Sequence, residues 1–134
     1  EKIVLNDLNP KRDYIYIDDL LKLILLVIDN SENHIVNACS NSSVSVNEIF
    51  DIIKKEMNKN IEPVYNKSKN FWNKYDKLLN CKMPLNKSII EDEVNKSTLG
   101  DNSYAKRTFN WEIEYNMSLG LKNMVKLYIE TNKD

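Results

Sequence analysis

The residues of this sequence that could do chemistry begin with Lys11-Arg12-Asp13, a guanidinium set between an ammonium and a carboxylate just ahead of an aromatic, β-branched run. A guanidinium is a rigid fork of donors that can meet two phosphate oxygens at once, whereas a lysine ammonium is a mobile point charge. The one other arginine, Arg107, reads as a solvated helix residue. Arg12 has the chemistry to hold an anion, but the triplet read without further context is a weak surface ion pair. Tyr65 and Lys69 have the Tyr-x-x-x-Lys spacing that puts a tyrosine acid/base one helical turn from a lysine that lowers its pKa. That chemistry needs both residues on one helix. This pair leaves an extended segment bearing Pro63, so the match reads as coincidence in a Lys-rich chain.

With only Gly100 and Gly120, the sequence builds no Gly-x-Gly-x-x-Gly turn, no phosphate-cradling P-loop and no nucleophile elbow. His34, the single histidine, opens a predicted strand and reads as structural. Glu91-Asp92-Glu93 could bind a cation or move protons, but an unpaired acidic run in a polar segment reads as a solvated face. Cys39 and Cys81 lack metal-ligand spacing and read as reduced, structural thiols. The residues thus offer no catalytic set, no cofactor-binding set and no metal site.

These side chains must be carried by one domain spanning residues 1–134, because 134 residues at 42% hydrophobic content support a single modest core. A net charge of −1 excludes the basic footprint of a nucleic-acid binder and a polybasic membrane anchor. The longest apolar run, Leu20 to Ile28, is broken by Lys22 and covers about half a membrane span. The N-terminus Glu1-Lys2-Ile3-Val4-Leu5 has neither an initiator Met nor a signal-peptide pattern, so the expectation is a chain cut from something longer, in the cytoplasm.

Tyr14-Ile15-Tyr16-Ile17 predicts a short strand, with Asp18 and Asp19 capping a helix over about 19–29 that is apolar nearly all round and so buried on several sides. His34 to Cys39 predicts another strand, and Ser40 to Ser43 a turn. Ser45-Val46-Asn47-Glu48 is a capping box opening a helix to about residue 59. Ile61 to Tyr65 predicts a strand at an edge, since it bears Pro63. From Asn66 to Gly100 periodicity fades, and Phe71, Trp72, Tyr75, Leu78 and Leu79 stand among Lys and Asn, the mark of a functional or partner-contacting loop. Asp101 can cap a helix over 102–109 that Asn110 ends in the left-handed conformation. Asn116 can cap a last helix over about 117–131, striped by Met117, Leu121, Met124, Val125, Tyr128 and Ile129.

Stretches of the chain, in order, resemble the C-terminal part of the extended short-chain dehydrogenases that act on nucleotide sugars. Arg12-Asp13-Tyr14-Ile15-Tyr16-Ile17-Asp18-Asp19 is similar to the family's Arg-Asp-aromatic-(Ile/Val)-(Tyr/His)-Val-x-Asp segment. Ile35-Val36-Asn37-Ala38-Cys39-Ser40 stands where the family has Tyr-Asn-(Ile/Leu)-Gly, keeping Asn37 and replacing the glycines, and the capping box follows. Asp101-Asn102-Ser103-Tyr104-Ala105-Lys106-Arg107-Thr108-Phe109-Asn110-Trp111 resembles Asp-x-Ser-Lys-Ala-x-x-x-Leu-Gly-Trp, and Leu119-Gly120-Leu121 continues into the family's Glu-Gly-Leu helix.

The resemblance implies an α/β fold, α+β when taken as a fragment, with about four helices and several short strands, the C-terminal part of an NAD(P)-binding Rossmann-type enzyme. It implies a partner Rossmann domain, outside this chain, that holds NAD(P) and the Tyr/Lys pair, so that this chain alone binds no cofactor and is inactive. It implies that Arg12 approaches the diphosphate of a nucleotide-sugar substrate. The family's second phosphate-binding Arg comes from the loop matching 66–100, which has none here, and Lys87 is the nearest substitute. The parent enzyme would be an epimerase, dehydratase or reductase serving surface polysaccharide synthesis. The rival expectation is a free-standing binding module that kept the fold without catalysis. If the chain is a fragment, an uncovered apolar face should make it self-associate, and Arg12 should be at least partly solvent-accessible.

Overall fold

The computed structural model describes residues 2–5, 10–30, 32, 34–66, 80–82, 86, 88–90, 92 and 96–132. Among them, strand β1 (Val4–Leu5) pairs in parallel with β4 (Val64–Tyr65), and β2 (Lys11–Asp13) pairs antiparallel with β3 (Ser43–Ser45). Helices among the described residues include α1 (Ile17–Ile28), α2 (Val46–Glu56), α3 (Ser103–Phe109) and α4 (Met117–Thr131). Helix α1 packs on α3, and α2 packs on α4. This is the expected mixed α/β architecture. No helix among the described residues is long and apolar enough to cross a membrane.

Local signals formed their elements as chemistry dictates. The Ser45 hydroxyl accepts from the Glu48 amide while the Glu48 carboxylate accepts from the Ser45 amide, closing the capping box. Asn116 caps α4 by accepting from the Leu119 amide at 2.9 Å. Asn110 ends α3 at φ 51°, ψ 36°, the left-handed conformation that Asn tolerates without a large steric cost.

Several expectations need correction. The strand lies at Lys11–Asp13 rather than at 14–17, because the backbone is already turning into α1, whose N-cap is Tyr16 with no side-chain cap. Asp18 and Asp19 occupy the first helical turn instead, and the Asp19 carboxylate is spent on distant amides. The run His34 to Cys39 forms no ladder among the described residues, and Ile35 is 97% exposed. A strand exists only with a partner, which sequence alternation cannot supply. Helix 102–109 also starts one residue later, with Asn102 as its N-cap: the Asn102 side-chain Nδ2 donates to the Cys39 carbonyl, and the Asp101 carboxylate accepts from the Ser103 amide.

Among the described residues, one core cluster joins Leu23 of α1, Ala105 and Phe109 of α3, and Trp111, with Ile15, Val27, Val36 and Ile113 packed around them, and Leu121 and Val125 of α4 are buried as well. Only Asp19 and Leu23 of α1 are buried, whereas Leu21, Ile24, Leu25 and Ile28 stay exposed, Ile28 to 70%. The helix that the sequence marks as buried on several sides is thus covered on one. The stretch 71–79 and its aromatics lie outside the described residues.

Candidate functional site

Arg12 sits at the centre of β2, opposite Val44 of β3, and is half-buried. Its Nη1 donates to the Lys11 carbonyl at 3.1 Å, which folds part of the guanidinium back along its own strand. The strand supplies a fixed platform, where a loop had been expected.

Asp13 does more than neighbour Arg12. Its carboxylate accepts from the Ser40 amide at 2.8 Å and hydroxyl at 2.6 Å, and from the amides of Asn41 and Gly100, each at 3.0 Å. A carboxylate has about four lone-pair sites, so these donors fill it. Asn41, at φ 58°, is in the left-handed region, which turns its amide toward the carboxylate. A Cβ on Gly100 would lie 2.5 Å from Cys39 Sγ, so only glycine lets this backbone approach. Burial, and then the Asp13 charge, push the Cys39 thiol above its ordinary pKa, which disfavours the thiolate.

On the other side of Arg12, the Lys11 amide donates to Ser97 Oγ at 3.1 Å and its carbonyl accepts from the Thr98 amide at 2.9 Å. Lys11 Nζ lies 3.5 Å from Glu48 Oε1, so the capping-box carboxylate is also a counter-charge to Lys11. Hydrogen bonds from Ser45, and more weakly Lys11, hold the Glu48 carboxyl below the usual carboxylate range.

Other candidates fall elsewhere. Lys87, Lys69, Glu91 and Glu93 lie outside the described residues, and the described residues form no His/Cys/Asp/Glu group able to hold a metal. The Tyr65 hydroxyl donates to Asn47 Oδ1 at 3.2 Å from a strand, not a helix. His34 Nδ1 lies 2.8 Å from the Tyr104 hydroxyl, its Nε2 lies 3.1 Å from Asn30 Oδ1, and its ring meets Phe109 edge-on at 5.1 Å. Both ring nitrogens are satisfied, as a structural histidine requires.

A cleft of about 230 Å³ runs between Tyr14-Ile15-Tyr16 and Tyr115, Gly120 and Met124. It is apolar and not lined by Arg12. Tyr16 stacks on Tyr115 with centroids 4.6 Å apart, and Gly120 makes room for it, since a Cβ there would fall 2.8 Å from Tyr16 Cδ2.

Sequence reasoning missed Asp13 as an anchor, along with Ser40, Asn41 and Gly100 as its donors. One signal was available: a lone glycine outside a turn motif often marks a close backbone approach.

Comparison with known proteins agrees with this fold. The model of the family described as GDP-mannose 4,6 dehydratase matches residues 1–124. A Methanocaldococcus jannaschii protein provisionally named UDP-glucose 4-epimerase is 42% identical over 65 residues, covering 48% of this chain and 21% of its own. The UDP-glucose 4-epimerase of Thermotoga maritima, solved with UDP-glucose, superposes with a TM-score of 0.72 at 27% identity, over 98% of this chain and 36% of that one. The dTDP-glucose 4,6-dehydratase of Bacillus anthracis, solved with NAD, superposes with a TM-score of 0.67 at 19% identity, over 99% and 36%, which shows the fold alone. The chain therefore spans about a third of the length of these solved structures. It has the fold of the Rossmann-type epimerases and dehydratases. It belongs to the GDP-mannose 4,6 dehydratase family, among the NAD-dependent nucleotide-sugar epimerases and dehydratases.

Proposed function

We propose that residues 1–134 form the substrate-side part of an NAD(P)-dependent nucleotide-sugar epimerase or dehydratase, and that Arg12 meets the substrate diphosphate. The observation that carries this reading is the placement of Arg12: a guanidinium on a paired strand, half-exposed, with both chain neighbours tied to surrounding loops. A donor fork held this way meets phosphate oxygens at little entropic cost. Lys87 would add a second, less directional positive charge from the 66–100 loop.

The chain's own residues do not fit a dinucleotide. Two glycines in all leave no Gly-rich turn to set a pyrophosphate on a helix N-terminus. In this reading NAD(P) is held by a Rossmann segment outside the chain; the Bacillus anthracis dehydratase of this fold was solved with NAD. The uncovered apolar face of α1 and the exposed Ile35 support a partner domain and count against a free-standing module. A cytoplasmic place in the synthesis of surface polysaccharide belongs to the same proposal.

The test is calorimetric titration of the natural gene product with UDP-glucose, dTDP-glucose and GDP-mannose, each set against its nucleoside monophosphate. The reading expects one nucleoside-diphosphate sugar to bind more tightly than its monophosphate. Equal binding of all, or of none, contradicts it.

A further inference from the structure

We propose that Asp13 is a positioning residue of the phosphate site, whose carboxylate holds Arg12 in register with segment 97–100. The inference rests on the reading of Arg12 given above and goes beyond it.

Strand β2 has three residues, and a two-stranded ladder of that length is too weak to fix a long side chain by itself. What fixes it are bonds from the residues on either side of Arg12. Asp13 gathers the Ser40, Asn41 and Gly100 donors, and Lys11 takes Ser97 and Thr98. Arg12 is therefore bracketed by residues that both grip 97–100, the end of the loop expected to bring the second positive charge. Two further bonds hold the same seam: Asn37 Nδ2 donates to the Asp101 carbonyl at 3.3 Å, and Asn102 Nδ2 to the Cys39 carbonyl at 3.0 Å. The Asp13 carboxylate bonds both loops, and it is acceptor-only, as amide and hydroxyl donors require. An asparagine there keeps the shape but turns an amide NH2 toward donors, which breaks the convergence.

The experiment uses the natural gene product and whichever of UDP-glucose, dTDP-glucose and GDP-mannose binds it most tightly, with Kd measured well below the melting temperature of each variant. Arg12→Ala is expected to weaken binding by about tenfold or more, and Asp13→Asn by about tenfold. In the Asp13→Asn background, Arg12→Ala should cost less than about threefold further, the non-additivity of residues acting as one unit. Asp13→Asn that lowers the melting temperature and leaves Kd unchanged, or effects that add in full, overturns the inference. Should Asp13→Asn fail to fold, Ser40→Ala removes one of the donors and is expected to weaken binding by about two- to threefold. Unchanged affinity in that variant overturns the inference as well. Arg12→Ala binding as tightly as the wild type sinks the phosphate reading itself, a failure distinct from loss at Arg12 without loss at Asp13.

Discussion

The indole N–H of Trp111 donates to the backbone carbonyl of Asp19 at 3.0 Å, so two residues 92 positions apart close the first turn of α1 onto the segment after α3. The Asp19 side chain, fully buried, completes the joint by accepting from the amides of Glu114 and Tyr115 at 3.1 and 3.0 Å. Asp19→Ala should therefore cost about 1–3 kcal/mol, because it leaves two part-buried amides without their acceptor. Urea unfolding measures it, and a loss of under about 0.5 kcal/mol, the size of a surface substitution, would remove Asp19 from the joint.

Gly100 is set by contact rather than by backbone angle. A methyl group there would fall within 2.6 Å of both Cys39 Sγ and Cβ. Gly100→Ala should destabilise by about 1–3 kcal/mol through overpacking, and Cys39→Ala in the same chain should recover part of that loss. Melting curves of the pair and the double variant check it; an additive result means that the two residues do not meet.

Glu48 gives the chain an acid sensitivity of definite sign. Its carboxyl is held below the ordinary value by bonds from Ser45 and by Lys11, so its contribution is present above the unfolded-state pKa and is lost as pH falls through the lower folded value. The stability gap between wild type and Glu48→Gln should be open near neutrality and close as acid protonates Glu48. A gap that widens in acid would contradict the assignment.

The exposed Leu21, Leu25 and Ile28 of α1 and the exposed Ile35 predict that the isolated chain self-associates. Sedimentation at rising concentration should show it, and Leu25→Lys with Ile28→Lys should return the chain to a monomer. A monomer at all concentrations in the unsubstituted chain would favour the free-standing module.

The parts of the fold legible in the sequence are those decided within one turn of chain. The capping box at Ser45 and Glu48, the Asn116 cap and the left-handed Asn110 each need only neighbours, and each formed. Illegible parts depend on residues far away. Asp19 looked like a cap because a cap is local, while its partners are near residue 115. His34 to Cys39 looked like a strand because alternation is local, while pairing is not. The candidate site divides in the same way: type and setting alone make Arg12 a surface ion pair, only the family resemblance makes it a candidate, and the bonds of Asp13 to Ser40 and Gly100 were not legible.

The chain alone should bind NAD and NADP weakly or not at all, since it has no Gly-rich turn to receive a pyrophosphate. Calorimetry of the 134-residue chain with each dinucleotide decides it, and micromolar binding would place a cofactor site within these residues.

The most direct measurement compares wild type with Arg12→Lys in the natural gene product, titrating the nucleotide sugar it binds and NAD side by side. Lysine keeps the charge and loses the fork, so nucleotide-sugar affinity should fall by about 1–3 kcal/mol while NAD affinity and melting temperature stay nearly unchanged. A variant that melts earlier yet binds the nucleotide sugar as tightly as wild type would make Arg12 a structural residue and contradict the account.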